Sequence, residues 1–165
     1  MTKDKPPHAR EASAAGANVL LVIDTGALLA GESEPACCYA LCNGLDSLLT
    51  SNDGQLHLNA VAGGQVRVRW SPTAVRGEHA VLLNLQLANE DVLTNLTLQS
   101  HPEATVRVPQ MGEPIEFEAR PAHDAFWQLD VAAEGSVELT LKAIVTDRDA
   151  EIAGTFEWPL SIVVG

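Results

Sequence analysis

Lysine all but vanishes after residue 5: beyond Lys3 and Lys5 the chain holds only Lys142. From Asn18 onward seven basic residues stand against twenty acidic ones, a net of −13 within a whole-chain charge of −12. Nucleic-acid affinity rests on neutralising phosphates with Lys and Arg, and anionic membranes attract the same side chains, so neither is an expected partner. Aromatic residues are scarce at 4%, which leaves a core to be built mainly from Leu, Val and Ala. No apolar run approaches the roughly 18 residues of a spanning helix. The best leader-like stretch, residues 17–23, is cut short by Asp24, and Asp4 and Glu11 spoil a basic flank. The expected location is therefore cytoplasmic. Cys37, Cys38 and Cys42 are odd in number and crowded together, which is no disulfide framework.

What is present is alternation. Val137, Leu139, Leu141, Ala143 and Val145 interleave with mostly polar residues, and after Asp147-Arg148-Asp149 the pattern restarts at Ile152, Gly154, Phe156, Trp158, Leu160, Ile162 and Val164. A period of two reads as a half-buried strand, and two such runs about a polar break read as a hairpin that needs another sheet to cover it. The same rhythm recurs at Leu56/Leu58, at Val66/Val68/Trp70 with Arg67 and Arg69 facing the other way, and at Val81 to Leu87. Shorter runs follow at Leu96/Leu98, Val106/Val108 and Ile115/Phe117. Residues 18–24 form a continuous apolar run, consistent with a strand buried on both faces, and Asp24-Thr25 then caps a short helical turn ended by Gly31. The expectation is an all-β fold: an antiparallel β-sandwich of about nine or ten strands, with a jelly-roll or immunoglobulin-like order left open. Residues 1–17, rich in Lys, Pro, Ala and Glu, read as a disordered arm before a single domain over 18–165.

Catalytic constellations are missing from the pattern. There is no GxSxG, P-loop or GxGxxG stretch, and His8, His57, His79, His101 and His123 are scattered. The cysteine cluster lacks the four spaced ligands of a zinc site. Asp147, Asp149 and Glu151 offer carboxylates for calcium without the spacing or glycine of an EF-hand loop, so a solvated hairpin tip is the plainer reading. Trp70, Trp127 and Trp158 are core pillars or a platform for a sugar-like ligand. Trp70 and Trp158 share the apolar phase of their strands. Trp127 follows Phe126, so one of those two rings faces the other way. No catalytic residue, cofactor or metal ligand is expected.

Read together, Val19 to Thr25, Gly54-Gln55-Leu56 through Arg69-Trp70, Asp124 to Gln128, Asp147-Arg148 and Phe156 to Pro159 make the chain resemble the AidA/PixA family of bacterial inclusion-body proteins. The match spans about residues 18–165. It departs at Gly64-Gln65, where relatives tend to carry an acidic group, and over residues 32–53, which look compressed and cysteine-rich. The resemblance implies a cytoplasmic protein under quorum-sensing or late-growth control, in some members accumulated in inclusions, and it brings no catalytic residue. Asp24, Arg69, Trp70, Trp127 and Asp147 match the family pattern.

The expected function is that of a non-enzymatic structural or interaction protein that self-associates, a dimer being favoured, because Lys-poor strand edges leave room for edge or face pairing. The alternative is a lectin-like or small-molecule-binding sandwich, with Asp24, Arg69, Trp70, His123, Asp124, Trp127 and Asp147 as ligand or interaction candidates. A thiol enzyme using the cysteines is the least favoured reading.

Overall fold

The structure, a computed structural model, describes residues 16–42, 55–74, 77–110, 112 and 116–165. Eleven strands run through these residues: β1 (Ala17–Ile23), β2 (Cys38–Cys42), β3 (Gln55–Leu58), β4 (Gln65–Pro72), β5 (Ala80–Leu87), β6 (Leu93–His101), β7 (Thr105–Pro109), β8 (Phe117–Pro121), β9 (Asp124–Val131), β10 (Gly135–Thr146) and β11 (Ile152–Val164). A helical turn, α1 (Thr25–Leu29), follows β1, and a 3-10 turn at Glu34–Cys37 precedes β2.

Three sheets result: five strands in the order β2-β1-β4-β9-β6, four in the order β3-β11-β10-β5, and a separate two-stranded ribbon β7-β8. The two larger sheets face each other. Val19, Leu21, Ile23, Val66, Val68, Leu129 and Val131 of the first meet Leu56, Leu58, Leu83, Leu85, Leu139, Leu141, Trp158 and Ile162 of the second in one buried cluster. The all-β expectation holds, with the helical turn after the first strand in place. Its wholly antiparallel part does not. β1 runs parallel to β4, pairing Leu21 with Trp70, and β3 runs parallel to β11, pairing Leu56 with Ile162. Alternation decides which face a side chain takes, and it is blind to the direction of the neighbouring strand. β1 is also not buried on both faces, since Asn18 is exposed and Leu20 and Val22 are half-buried on the outer side. The arm expected over residues 1–17 lies outside the described residues up to residue 15, and Ala17 already belongs to β1.

β10 and β11 form the longest ladder, from Gly135↔Val164 to Thr146↔Ile152. Val137, Leu139, Leu141, Ala143 and Val145 are all buried, as the alternation requires. The two big sheets are also tied by side chains. The indole N–H of Trp70 donates to the Val81 carbonyl at 2.8 Å, and that of Trp127 to the Leu83 carbonyl at 2.8 Å. Both acceptors lie on β5, an edge strand, so two indoles of the five-stranded sheet clasp the rim of the four-stranded one. Such bonds give each large ring a fixed orientation as well as buried area.

The β10–β11 turn is held by Asp147, whose Oδ1 accepts from the backbone N–H groups of Asp149 at 2.9 Å and Glu151 at 3.0 Å. Ala150 sits there at φ +62°, a left-handed conformation that an L side chain with a Cβ resists. Replacing Ala150 by Gly removes that resistance, and the expected gain is about 0.5–1 kcal/mol of unfolding free energy. Urea unfolding of Ala150→Gly against the unchanged protein measures it; a loss of stability would contradict this account of the turn.

Candidate functional site

The inward set of β9 is Trp127, Leu129 and Val131, so Phe126 shares the parity of Asp124, Gln128 and Asp130 and faces outward. That shared parity was readable in the sequence and separates the two adjacent rings. Phe126 is nonetheless only 7% exposed while standing outside the core cluster. Its cover is cationic. The guanidinium carbon of Arg69 lies 4.5 Å from the ring centroid and that of Arg67 lies 5.7 Å from it, while the His101 ring is tilted against it at 5.9 Å. Guanidinium groups sit favourably on an aromatic face, because the ring quadrupole attracts positive charge.

Three strands supply this cluster. β4 brings Arg67 and Arg69 on its outer face, and β9 brings Asp124 and Phe126. β6 brings His101 opposite Asp124 through the register His101↔Asp124. Arg69 grips Asp124 at two points, Nε to Oδ1 at 3.1 Å and Nη2 to Oδ2 at 3.0 Å, a bidentate geometry that matches fork to carboxylate. The hydrogen bond from Arg69 is the main cause that holds the Asp124 carboxyl below the usual carboxylate range, with the positive charge of Arg69 and the neighbouring His101 and His123 adding to it. The pair is about a third exposed on each side, so solvent screens it. At the margin His123 Nε2 meets Ser100 Oγ at 2.9 Å.

The expected candidates therefore separate. Arg69, Asp124 and His123 come together on this face. Trp70 and Trp127 are turned inward, packed against the core with their N–H groups on β5. Asp24 caps α1, its Oδ1 accepting from the Ala27 N–H at 3.0 Å, and Asp147 holds its own turn. Arg67, His101, Phe126 and Ser100 were not among the candidates. Arg67 had a local signal, its phase beside Arg69. His101 and Ser100 had none, since only the β6–β9 register brings them there.

The outer face continues with Leu20 and Val22 of β1 and with Tyr39 and Leu41 of β2, 50% and 47% exposed. At the other end, β6 and β9 run on into the β7-β8 ribbon, joined at its root by the Ala122 N–H to the Ala104 carbonyl at 2.7 Å. Among the described residues no group of three or more His, Cys, Asp or Glu side chains is placed to hold a metal ion, and no helix is long and apolar enough to cross a membrane. The three cysteines are free thiols. Burial pushes all of them up, Cys38 to about 12, with the carboxylates of Asp24, Glu32 and Glu34 adding to the effect at Cys37.

A family model described as PixA, inclusion body protein, matches residues 16–164. Among solved structures, the inclusion body protein (PixA) from Burkholderia cenocepacia J2315 superposes with a TM-score of 0.69 at 17% identity, covering 95% of this chain and 99% of that one. At this identity the likeness speaks for the fold. A cysteine protease inhibitor from Entamoeba histolytica aligns at a TM-score of 0.32 and 13% identity over 68% of this chain and 88% of its own, too weak a likeness to argue from. No curated protein matches the chain.

Two expectations follow from these groups. A carboxyl with a depressed folded-state pKa contributes stability that is present above its unfolded pKa, about 3.9 for Asp, and is lost as pH falls through the folded value. Asp124→Asn is thus expected to cost at most about 1 kcal/mol at pH 7, a cost that shrinks as pH falls below the ordinary Asp value and through the depressed folded one. Denaturant titrations at pH 7 and at progressively lower pH measure the difference, and a cost that does not shrink would contradict the ion-pair account. The raised thiols are expected to alkylate slowly in the native protein at pH 8 and quickly once unfolded, as iodoacetamide labelling followed by mass spectrometry would record.

Proposed function

The chain belongs to the PixA family of inclusion body proteins, and from that premise we propose that it is a non-enzymatic interaction protein that associates with copies of itself. The observation that carries this reading is the β7-β8 ribbon. Every residue of β8 and four of the five in β7 are exposed, Phe117 at 63% and Val106 at 46%. A two-stranded ribbon with both faces in water is marginal by itself and gains stability by lying against another surface. Tyr39 and Leu41 add exposed apolar area on the outer face of the five-stranded sheet. A two-fold dimer, in which each copy's ribbon lies on the other, uses both features.

Cytoplasmic location belongs to this reading and is supported by the three unpaired thiols, which suit a reducing compartment. Expression tied to growth phase or quorum sensing rests on the family resemblance. A second reading, a module that binds a small ligand, is favoured by the Arg67–Arg69–Phe126 cluster rather than by the tryptophans first considered.

Sedimentation velocity over a hundredfold concentration range tests the first reading. The protein is expected to sediment as a dimer or larger species at the upper end, and Phe117→Asp is expected to shift it to monomer with an unchanged circular dichroism spectrum. A monomer at every concentration would sink self-association.

A further inference from the structure

The cationic cluster stands out against the charge of the whole chain. After residue 17 there are seven basic residues, and two of them, Arg67 and Arg69, share one aromatic ring. Elsewhere among the described residues Arg120 is paired with Glu118 and Arg148 with Glu78, while Arg107 of β7 and Lys142 of β10 form no ion pair. Arg69 is paired with Asp124, whereas Arg67 forms no ion pair among the described residues and rests on Phe126. His101 and His123 flank the carboxylate. A positive island is thus built on a body that is otherwise strongly acidic.

We propose that this island, Arg67 with Arg69, Phe126 and His101, is the surface on which an acidic face of a second copy of the chain docks. The inference rests on the self-association reading and adds to it which face is used. Two bodies of net charge −13 repel at long range, so most approaches between copies are unfavourable. An approach that lays acidic side chains on Arg67 converts repulsion to attraction and so selects one orientation. The twenty acidic residues after residue 17 supply the counter-charge, which makes a second copy a fitting occupant. Position agrees with charge. The island lies at the root of the exposed ribbon, because β6 ends at His101 and β9 begins at Asp124, and the ribbon springs from between them. A copy engaged by the ribbon therefore meets the island in the same contact. Phe126, buried under the two guanidinium groups, holds them extended over the ring and limits their loss of freedom on docking.

The test is sedimentation equilibrium of the full chain and of Arg67→Glu, Arg67→Gln and Asp124→Asn, in 50 mM and 500 mM NaCl. Arg67→Glu is expected to weaken association roughly tenfold or more and Arg67→Gln by less, as for charges at the rim of a complementary interface. Asp124→Asn removes a negative charge from the island and is expected to strengthen association. High salt screens the attraction at Arg67 along with the general repulsion between copies, and is expected to narrow the differences between variants. Thermal melts of each variant check that the fold persists. If the unchanged protein associates and Arg67→Glu leaves its constant unaltered in 50 mM NaCl, the docking inference falls while self-association stands. If the unchanged protein is monomeric throughout, the self-association reading falls and takes this inference with it. A rise in melting midpoint with citrate or inorganic phosphate, lost in Arg67→Glu and unaccompanied by association, would assign the island to a small anion and likewise overturn the proposal.

Discussion

One buried face organises the molecule. The inward side chains of β10 are among the most completely buried in the protein, and an apolar face of that length is stable only when another layer covers it. The five-stranded sheet is that layer, and the two indole bonds to β5 set how it lies across the rim. Because the core takes one face of each sheet, the opposite face of the five-stranded sheet is free to carry side chains that take no part in the core. Arg67, Arg69 and Phe126 stand there. The division between a face that holds the fold and a face open to partners follows from the period of two.

The cluster around Phe126 also shows how a ring can be buried without belonging to the core. Water is kept from it by charged groups whose own heads remain wet, as long amphipathic side chains allow. Arg69 has its orientation set by Asp124, while Arg67 rests on the ring with no ion pair among the described residues. The same face thus holds one cation already satisfied by a carboxylate and one that is not.

Much of this architecture was legible in the chain. The alternation at 137–145 and 152–164 gave both strands and the turn between them, and the Asp24-Thr25 pair marked the start of α1. Strand direction was not legible, since Val19 and Val68 look the same beside a parallel or an antiparallel neighbour. The site was half legible. Arg69, Asp124 and His123 could be singled out one by one, but their convergence depends on β6 and β9 pairing with His101 opposite Asp124, a long-range register that no local pattern encodes. Trp127 was open between core and platform in the sequence; its parity with Leu129 and Val131 is the stronger signal, and it points inward.

The parallel pair β3·β11 has a consequence for how the chain reaches this state. Among the described residues β3 has β11 as its sole ladder neighbour, so Leu56 must find Ile162 across most of the sequence before that edge exists. Closing so long a loop costs entropy before any contact repays it, and topologies rich in such pairings cross their folding barrier slowly. During that interval the apolar side chains of β10 and β11 lack their cover. In a chain with hardly any lysine to guard exposed strands, the excess of negative charge is then the main force keeping half-folded copies apart.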